Sequence, residues 1–209
     1  DKVGWAVSSL SADLIVRKLK GEHLKKSHLR EVLDLSKKHD VVLIGNGIGK
    51  KSGELIREFI KKANKTLVID ADAIKEVKLQ DLSNCILTPH KKEFESLLEN
   101  SGLNYENYRD FLEDNIILLK GKEDKIITKN KIYYNKTGNA GMSKAGTGDI
   151  LAGLCGGFLA QGLSCKHSAI NAAYINGKIG DILKNKKRGY YFIASDMVEE
   201  IDKYMNRNR

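Results

Sequence analysis

The residues best suited to chemistry stand in one short run, Ala145-Gly146-Thr147-Gly148-Asp149, followed by Ile150-Leu151-Ala152-Gly153. Glycines let a backbone approach an anion closely. The apolar run behind them opens a helix whose first N–H groups are unpaired and whose dipole is positive at that end. Asp149 falls in the first turn. One role for a carboxylate there is to complement the dipole. The other is to take a proton from a substrate hydroxyl while the glycine nest holds a transferring phosphoryl group. With Leu151, Leu154, Cys155, Phe158 and Leu159 the helix is apolar nearly all round. That predicts a buried central helix, with Gly153, Gly156 and Gly157 letting neighbours pack tightly against it.

Four further groups carry polar residues to the ends of apolar runs. Val42-Leu43-Ile44-Gly45-Asn46-Gly47-Ile48-Gly49 runs from a strand into a glycine turn suited to phosphate. It lacks both the P-loop ending and the dinucleotide spacing, so a purely structural turn is the alternative. Val68-Ile69-Asp70-Ala71-Asp72-Ala73 sets two carboxylates at a strand end, for a metal's water or a hydrogen-bond network. The alternative is a helix N-cap by Asp70 or Asp72. Leu87-Thr88-Pro89-His90 contains the one proline of the chain, with Glu93 following. His90 would face the crevice at the strand ends. Glu93 would accept a proton, hold a metal's water, or close a capping box with Thr88 or the turn of His90. Lys120, at the end of Leu118-Leu119, can pair with phosphate as a point charge, or be a surface lysine. His23, His28, His39 and His167 receive no role.

These groups need a scaffold. Val41 to Ile44, Thr66 to Ile69, Asn84 to Leu87 and Ile116 to Leu119 read as short buried strands. Between them lie a helix capped by Ser52 and running to about Ala63, and a second with Phe94, Leu97 and Leu98 on one face. Lys125 to Thr128 and Ile132 to Asn135 flank a turn and read as a hairpin. The rest is mostly helix, the last one capped by Ser195 or Asp196. Strand and helix in alternation predict an α/β layered fold with a mostly parallel sheet. Ligands of such sheets sit beyond the carboxyl ends of the strands, where every motif above falls.

The 209 residues suffice for one domain with a sizeable core. No apolar run approaches the roughly 20 residues that span a bilayer, and no secretory signal opens the chain. Cys85, Cys155 and Cys165 show no metal-ligand spacing and read as buried reduced thiols, which favours a cytoplasmic setting. The charge of +9 raises a nucleic-acid partner. But the lysines come in scattered pairs such as Lys25-Lys26 and Lys61-Lys62, without interleaved aromatics. A solvated, lysine-rich surface is the reading adopted, with no nucleic acid and no membrane as partners.

The order GNGIG, DADAI, TPHKKEF, LKGKEDKIIT, TGNAGMSKAGTGDILAG and AAYINGKIGD resembles the NAD(P)H-hydrate dehydratase family of the ribokinase-like superfamily, from about Val41 to Asp181. The resemblance implies a ribokinase-like three-layer sandwich with helices on both faces. It also implies repair of NADH or NADPH hydrated at ring carbon C6. The hydroxyl is phosphorylated by ADP or, in other members, ATP, with Mg²⁺, and phosphate then leaves. Asp149 would be the base, and the N–H groups of Gly146, Thr147 and Gly148 would stabilise the phosphoryl group. Lys120, Gly121, Lys122, Glu123, Asp124 and Gly148 would contact the adenine nucleotide. Gly47, His90, Asn139 and Asp149 would contact the hydrated cofactor, with Asp70 and Glu93 in support.

The resemblance further implies a homo-oligomer, a tetramer in relatives, and in some members a fused epimerase domain. Two departures stand out. Asn46 replaces the family's usual proline, and Asp1-Lys2-Val3-Gly4 looks like a junction after a missing glycine-rich segment. Residues 1–209 are therefore expected to form a single dehydratase domain without its N-terminal segment. Two rival readings remain. A kinase for hydroxyethylthiazole or hydroxymethylpyrimidine would use the same Gly-Asp pair but leave a phosphorylated product. A non-catalytic nucleotide- or nucleic-acid-binding module would bind with a steep salt dependence.

Overall fold

The computed structural model describes residues 2–207. Asp1, the first residue of the expected junction, lies outside them. Two helices, α1 (Lys2–Leu10) and α2 (Leu29–Ser36), precede the sheet. The sheet then forms in chain order: β1 (Val41–Ile44), β2 (Thr66–Ile69), β3 (Cys85–Leu87), β4 (Ile116–Leu119), β5 (Asp124–Ile127) and β6 (Ile132–Asn135). β1 to β4 run parallel, and β5 and β6 add the antiparallel hairpin. Parallel neighbours need crossovers. These are α3 (Gly53–Lys62), a pair of short 3₁₀ turns between β2 and β3, and α4 (Lys91–Ser101). The chain then closes with α5 (Thr147–Ala160), α6 (Cys165–Lys186) and α7 (Ala194–Arg207).

Side chains alternate across a strand, and here both faces are apolar. Leu67, Ile69, Cys85, Leu87 and Ile117 join Ile56 and Phe59 of α3 and Phe94 and Leu97 of α4 in one core. Val68, Ile86, Ile116, Leu118 and Ile126 join Leu151 and Cys155 of α5 and Ala169 and Ala172 of α6 in another. This is the expected three-layer sandwich. Ile179, Leu183, Phe192 and Met197 pin α7 onto α6.

Several local expectations are corrected. Asn84 takes a left-handed φ of 52° and stands outside β3. The hairpin's first strand starts at Asp124 and ends at Ile127. Ser52 occupies the N-cap position of α3 without capping it, because its hydroxyl donates to the Ile48 carbonyl. Neither Ser195 nor Asp196 is the cap of α7. Asp196 lies in its first turn and accepts from the Ile193 N–H. In α5, Gly153 and Gly157 face open space rather than close neighbours, and a Cβ at Gly156 would only graze Val68. Counting small residues as apolar overstates what such a helix buries. All three thiols are buried and free, and burial pushes Cys85 and Cys165 up to about 11. No helix among the described residues is long and apolar enough to cross a membrane.

Candidate functional site

The carboxyl ends of the first four strands converge on Asp70. Gly45 makes this possible: it takes φ +125°, and a Cβ there would stand 1.8 Å from the Asp70 carbonyl oxygen. Glycine alone lets the end of β1 lie against the end of β2. Asn46 then reaches across, its Nδ2 donating to Asp70 Oδ2 at 2.8 Å and also to Asp149 Oδ1. Asp70 is only 2% exposed. Its Oδ1 accepts from Thr88 Oγ1 at 2.7 Å and from Lys120 Nζ at 3.0 Å. Asp70 is therefore neither a side-chain N-cap nor a surface group, and Asp72 pairs instead with Lys75.

Lys120 is placed by backbone pairing. Its N–H donates to the Pro89 carbonyl at 2.8 Å, and Lys120 bridges His90 in parallel. Its ammonium also lies 3.9 Å from Glu93 Oε2. Glu93 is buried and closes the capping box of α4 with His90: Glu93 Oε2 accepts from the His90 N–H, and His90 Nδ1 accepts from the Glu93 N–H. Nδ1 thus keeps its lone pair, and any proton on the neutral ring sits on Nε2. His90 itself is exposed to solvent.

The N-terminus of α5 meets this cluster. Gly146 takes φ +88° at the N-cap position. Thr147 is locked by its hydroxyl, which bonds the carbonyls of Met142 at 2.6 Å and Lys144 at 2.9 Å. Its N–H is already directed to the Lys144 carbonyl at 3.4 Å. The N–H groups of Gly146, Gly148 and Asp149 have no acceptor among the described residues. A Cβ on Gly148 would stand 3.5 Å from Lys120 Nζ, so the ammonium lies directly beside the open donors. Asp149 is exposed. Helix dipole, unpaired donors and cation act together on one anion position.

Beside it opens a cavity of about 670 Å³, lined among others by Lys120, Lys122, Asp124, Asn139, Gly148 and Asn176. Gly121 lines it too, whereas Glu123 does not and lies 3.9 Å from Lys136. Burial raises the Asp124 carboxyl, against hydrogen bonds from the Gly121 N–H and Asn135 Nδ2. Asn139 lies on this side of the site, capping a 3₁₀ turn and donating to Asp181. Gly47 and Asn46 line a different cavity, of about 460 Å³, with Arg17, Lys18 and His23. His90 lines neither. Among the described residues no group of three or more His, Cys, Asp or Glu could hold a metal.

This combination of an exposed carboxylate, open helix N–H groups and a lysine beside a nucleotide-sized cavity is what phosphoryl transfer needs. The family model described as NAD(P)H-hydrate dehydratase matches residues 5–203. The chain belongs to the NAD(P)H-hydrate dehydratase family. Among relatives, it is 40% identical over 194 residues to the bifunctional NAD(P)H-hydrate repair enzyme Nnr of Methanocaldococcus jannaschii, covering 90% of this chain and 38% of that protein. The chain thus spans well under two thirds of such relatives.

Two solved structures share the fold. A ribokinase-like superfamily protein of Enterococcus faecalis superposes with a TM-score of 0.71 at 26% identity, over 87% of this chain and 68% of that one. The ADP/ATP-dependent NAD(P)H-hydrate dehydratase of Bacillus subtilis, co-crystallised with ATP/Mg²⁺ and soaked with CoA, superposes at 0.69 and 22%, over 85% and 72%. The fold is therefore ribokinase-like. Within this dehydratase family member, sequence reasoning missed two partners of the site, Asn46 as a bridge and Asn176 as a cavity wall. The segment AAYINGKIGD signalled the second, but no residue in it was singled out.

Proposed function

We propose that this chain dehydrates hydrated NADH or NADPH in a nucleotide-dependent reaction, with ADP rather than ATP as phosphoryl donor. The observation that carries the reading is Asp149 at the open N-terminus of α5, with Lys120 beside Gly148. Asp149 takes the proton of the C6 hydroxyl as its oxygen attacks the terminal phosphorus of ADP. The bond from that phosphorus to the bridging oxygen breaks, and AMP departs. The N–H groups of Gly146 and Gly148 and the Lys120 ammonium receive the transferring phosphoryl charge. The C6–O bond then breaks as the ring nitrogen lends its electron pair. Loss of a C5 proton restores the dihydropyridine, leaving phosphate.

Lys120 to Asp124 and Asn139 are assigned to the nucleotide side, because they line its cavity, except Glu123. Gly47, His90 and Asp149 are assigned to the hydrated cofactor. Mg²⁺, arriving with the nucleotide, would neutralise phosphate charge. The residues fit an ion bound through phosphate oxygens rather than a protein cage, since no group of three or more His, Cys, Asp or Glu among the described residues could hold one and Asp70 already accepts from three donors.

Residues 1–209 act in this reading as one dehydratase domain, in the cytoplasm. Val3, Trp5, Leu10 and Ile15 stand 65–90% exposed, which supports assembly with further copies or an epimerase domain. The test mixes the protein with hydrated NADH, Mg²⁺ and ADP or ATP and follows absorbance at 340 nm, with Asp149→Asn alongside. Nucleotide-dependent recovery that is lost in the variant is expected. A stable phosphorylated product without recovery would replace the dehydratase with a kinase.

A further inference from the structure

Asp149 is exposed on the first turn of α5, and an exposed aspartate without a side-chain partner turns freely among its rotamers. A base that has to meet one hydroxyl needs a fixed direction, because small misplacements cost rate steeply. Among the described residues one side chain supplies that direction. Asn46 Nδ2 donates to Asp149 Oδ1 and, at 2.8 Å, to Asp70 Oδ2. Carboxylates only accept, so the amide turns its nitrogen toward both.

The anchor behind Asn46 is held from two further strand ends. Asp70 is 2% exposed and accepts from Thr88 Oγ1, just after β3, and from Lys120 Nζ, just after β4. A path of hydrogen bonds thus runs from the sheet through Asp70 and Asn46 to Asp149. The turn that carries Asn46 needs little from its amide. The Gly45 carbonyl accepts from the Ile48 N–H at 3.4 Å, and Gly47, in the third place, takes φ +66°. This fits a type II turn, which favours proline in the second place, where Asn46 stands. Asn46 Oδ1 is shut off from solvent and no described residue donates to it. An acceptor left that way costs stability, so the turn alone gives no reason for the amide.

We propose that Asn46 is a positioning residue, which aims Asp149 by tying it to the buried Asp70. This rests on the reading of Asp149 as the base. It is a property of this chain, since the proline usual at this place brings no donor. Without the amide, the two carboxylates face each other as like charges, and Asp149, the exposed one, turns away into solvent.

Recovery of absorbance at 340 nm from saturating hydrated NADH, with Mg²⁺ and varied ADP, is followed on the wild type, Asn46→Pro and Asn46→Leu. ADP binding is measured by calorimetry and Tm by thermal unfolding. Proline keeps the turn without the donor, and no described residue accepts from the Asn46 N–H that it removes. Leucine keeps the approximate shape of the side chain, and decides if the proline variant does not fold. In both, kcat should fall about 10-fold or more. Tm and the Kd for ADP should stay as in the wild type, because Asn46 lines the other cavity. A wild-type kcat in a folded variant overturns the role of Asn46 and leaves Asp149 as the base. An equal loss of kcat and of ADP affinity, or loss of the fold in both variants, overturns it too, since Asn46 would then shape the whole site. A wild type without nucleotide-dependent recovery overturns the reading of Asp149 itself.

Discussion

Replacing Lys120 by methionine removes the one cation bonded to Asp70. The Asp70 carboxylate is 2% exposed and accepts from three groups, Asn46 Nδ2, Thr88 Oγ1 and Lys120 Nζ. Without the ammonium, a buried anion is left with two neutral donors. Breaking a buried ion pair from one side costs about 3–5 kcal/mol. The Lys120 side chain keeps 22% of its exposure, so water already shares the charge and the lower end, about 3 kcal/mol, is expected. For a chain of this size each 1 kcal/mol lowers Tm by about 2–4 °C, giving a fall of about 6–12 °C. Thermal and urea unfolding at two salt concentrations measure it, and the loss should change little with salt because the pair is poorly screened. Asp70→Asn added to Lys120→Met removes the stranded charge and should recover at least half of the loss. A loss under about 1 kcal/mol for the single variant, or a double variant less stable than the single, would refute the picture of Lys120 holding Asp70.

Two further predictions test the site and the core. Gly148→Ala places a methyl in ordinary contact range of Lys120 Nζ, at 3.5 Å, without any positive φ to strain it. Its Tm should stay within a few degrees of wild type, while KM for ADP rises about ten-fold or more as the methyl crowds the anion position. An unchanged KM would show that the phosphate lies elsewhere. Burial lifts Cys85 and Cys165 from 9.0 to about 11 and pushes Cys155 up as well. The native state therefore keeps protons that the unfolded chain releases. The stability these thiols confer is complete below pH 9 and is lost as pH rises from 9 to 11, by about 2–3 kcal/mol for Cys85 alone. Urea unfolding at pH 8, 9 and 10 should show this decline, flattened in Cys85→Ala. A native protein whose thiols react with a disulfide reagent at pH 8 as fast as the unfolded chain would count against it.

The sheet was legible because its strands are apolar on both faces and end at glycine, aspartate, threonine or lysine. Val41–Ile44, Thr66–Ile69 and Ile116–Leu119 were placed to the residue. The ends that slipped, at Asn84 and at Asp124 and Thr128, are decided by one backbone angle and by the cross-strand pairing of Asp124 with Asn135, which periodicity does not register. The surface of α5 was misjudged because glycine scores as apolar yet leaves nothing to bury. The functional segments were legible as strand ends, but the bonds that join them span 18, 24, 50 and 103 positions. No local spacing rule reaches across such distances. The capping box of His90 and Glu93, three residues apart, was within reach and was one of the alternatives the sequence left open for Glu93.

Asn46 shows what that long-range pairing achieves. The resemblance sets it as a departure from proline, which would bend the turn but bring no side-chain donor. In the structure its amide nitrogen serves two carboxylates, one hydrogen toward each. That allows Asp70 and Asp149 to approach a common point without facing each other bare. They are not equivalent there. Asp70 is buried and takes Thr88 and the ammonium of Lys120 as well, so its lone pairs are used in holding four strand ends together. Asp149 is exposed and, among the described residues, has only the neutral amide of Asn46 as a side-chain partner. The same cluster thus ties one carboxylate into the strand ends and leaves the other exposed, and it is the distribution of donors around them that separates the two.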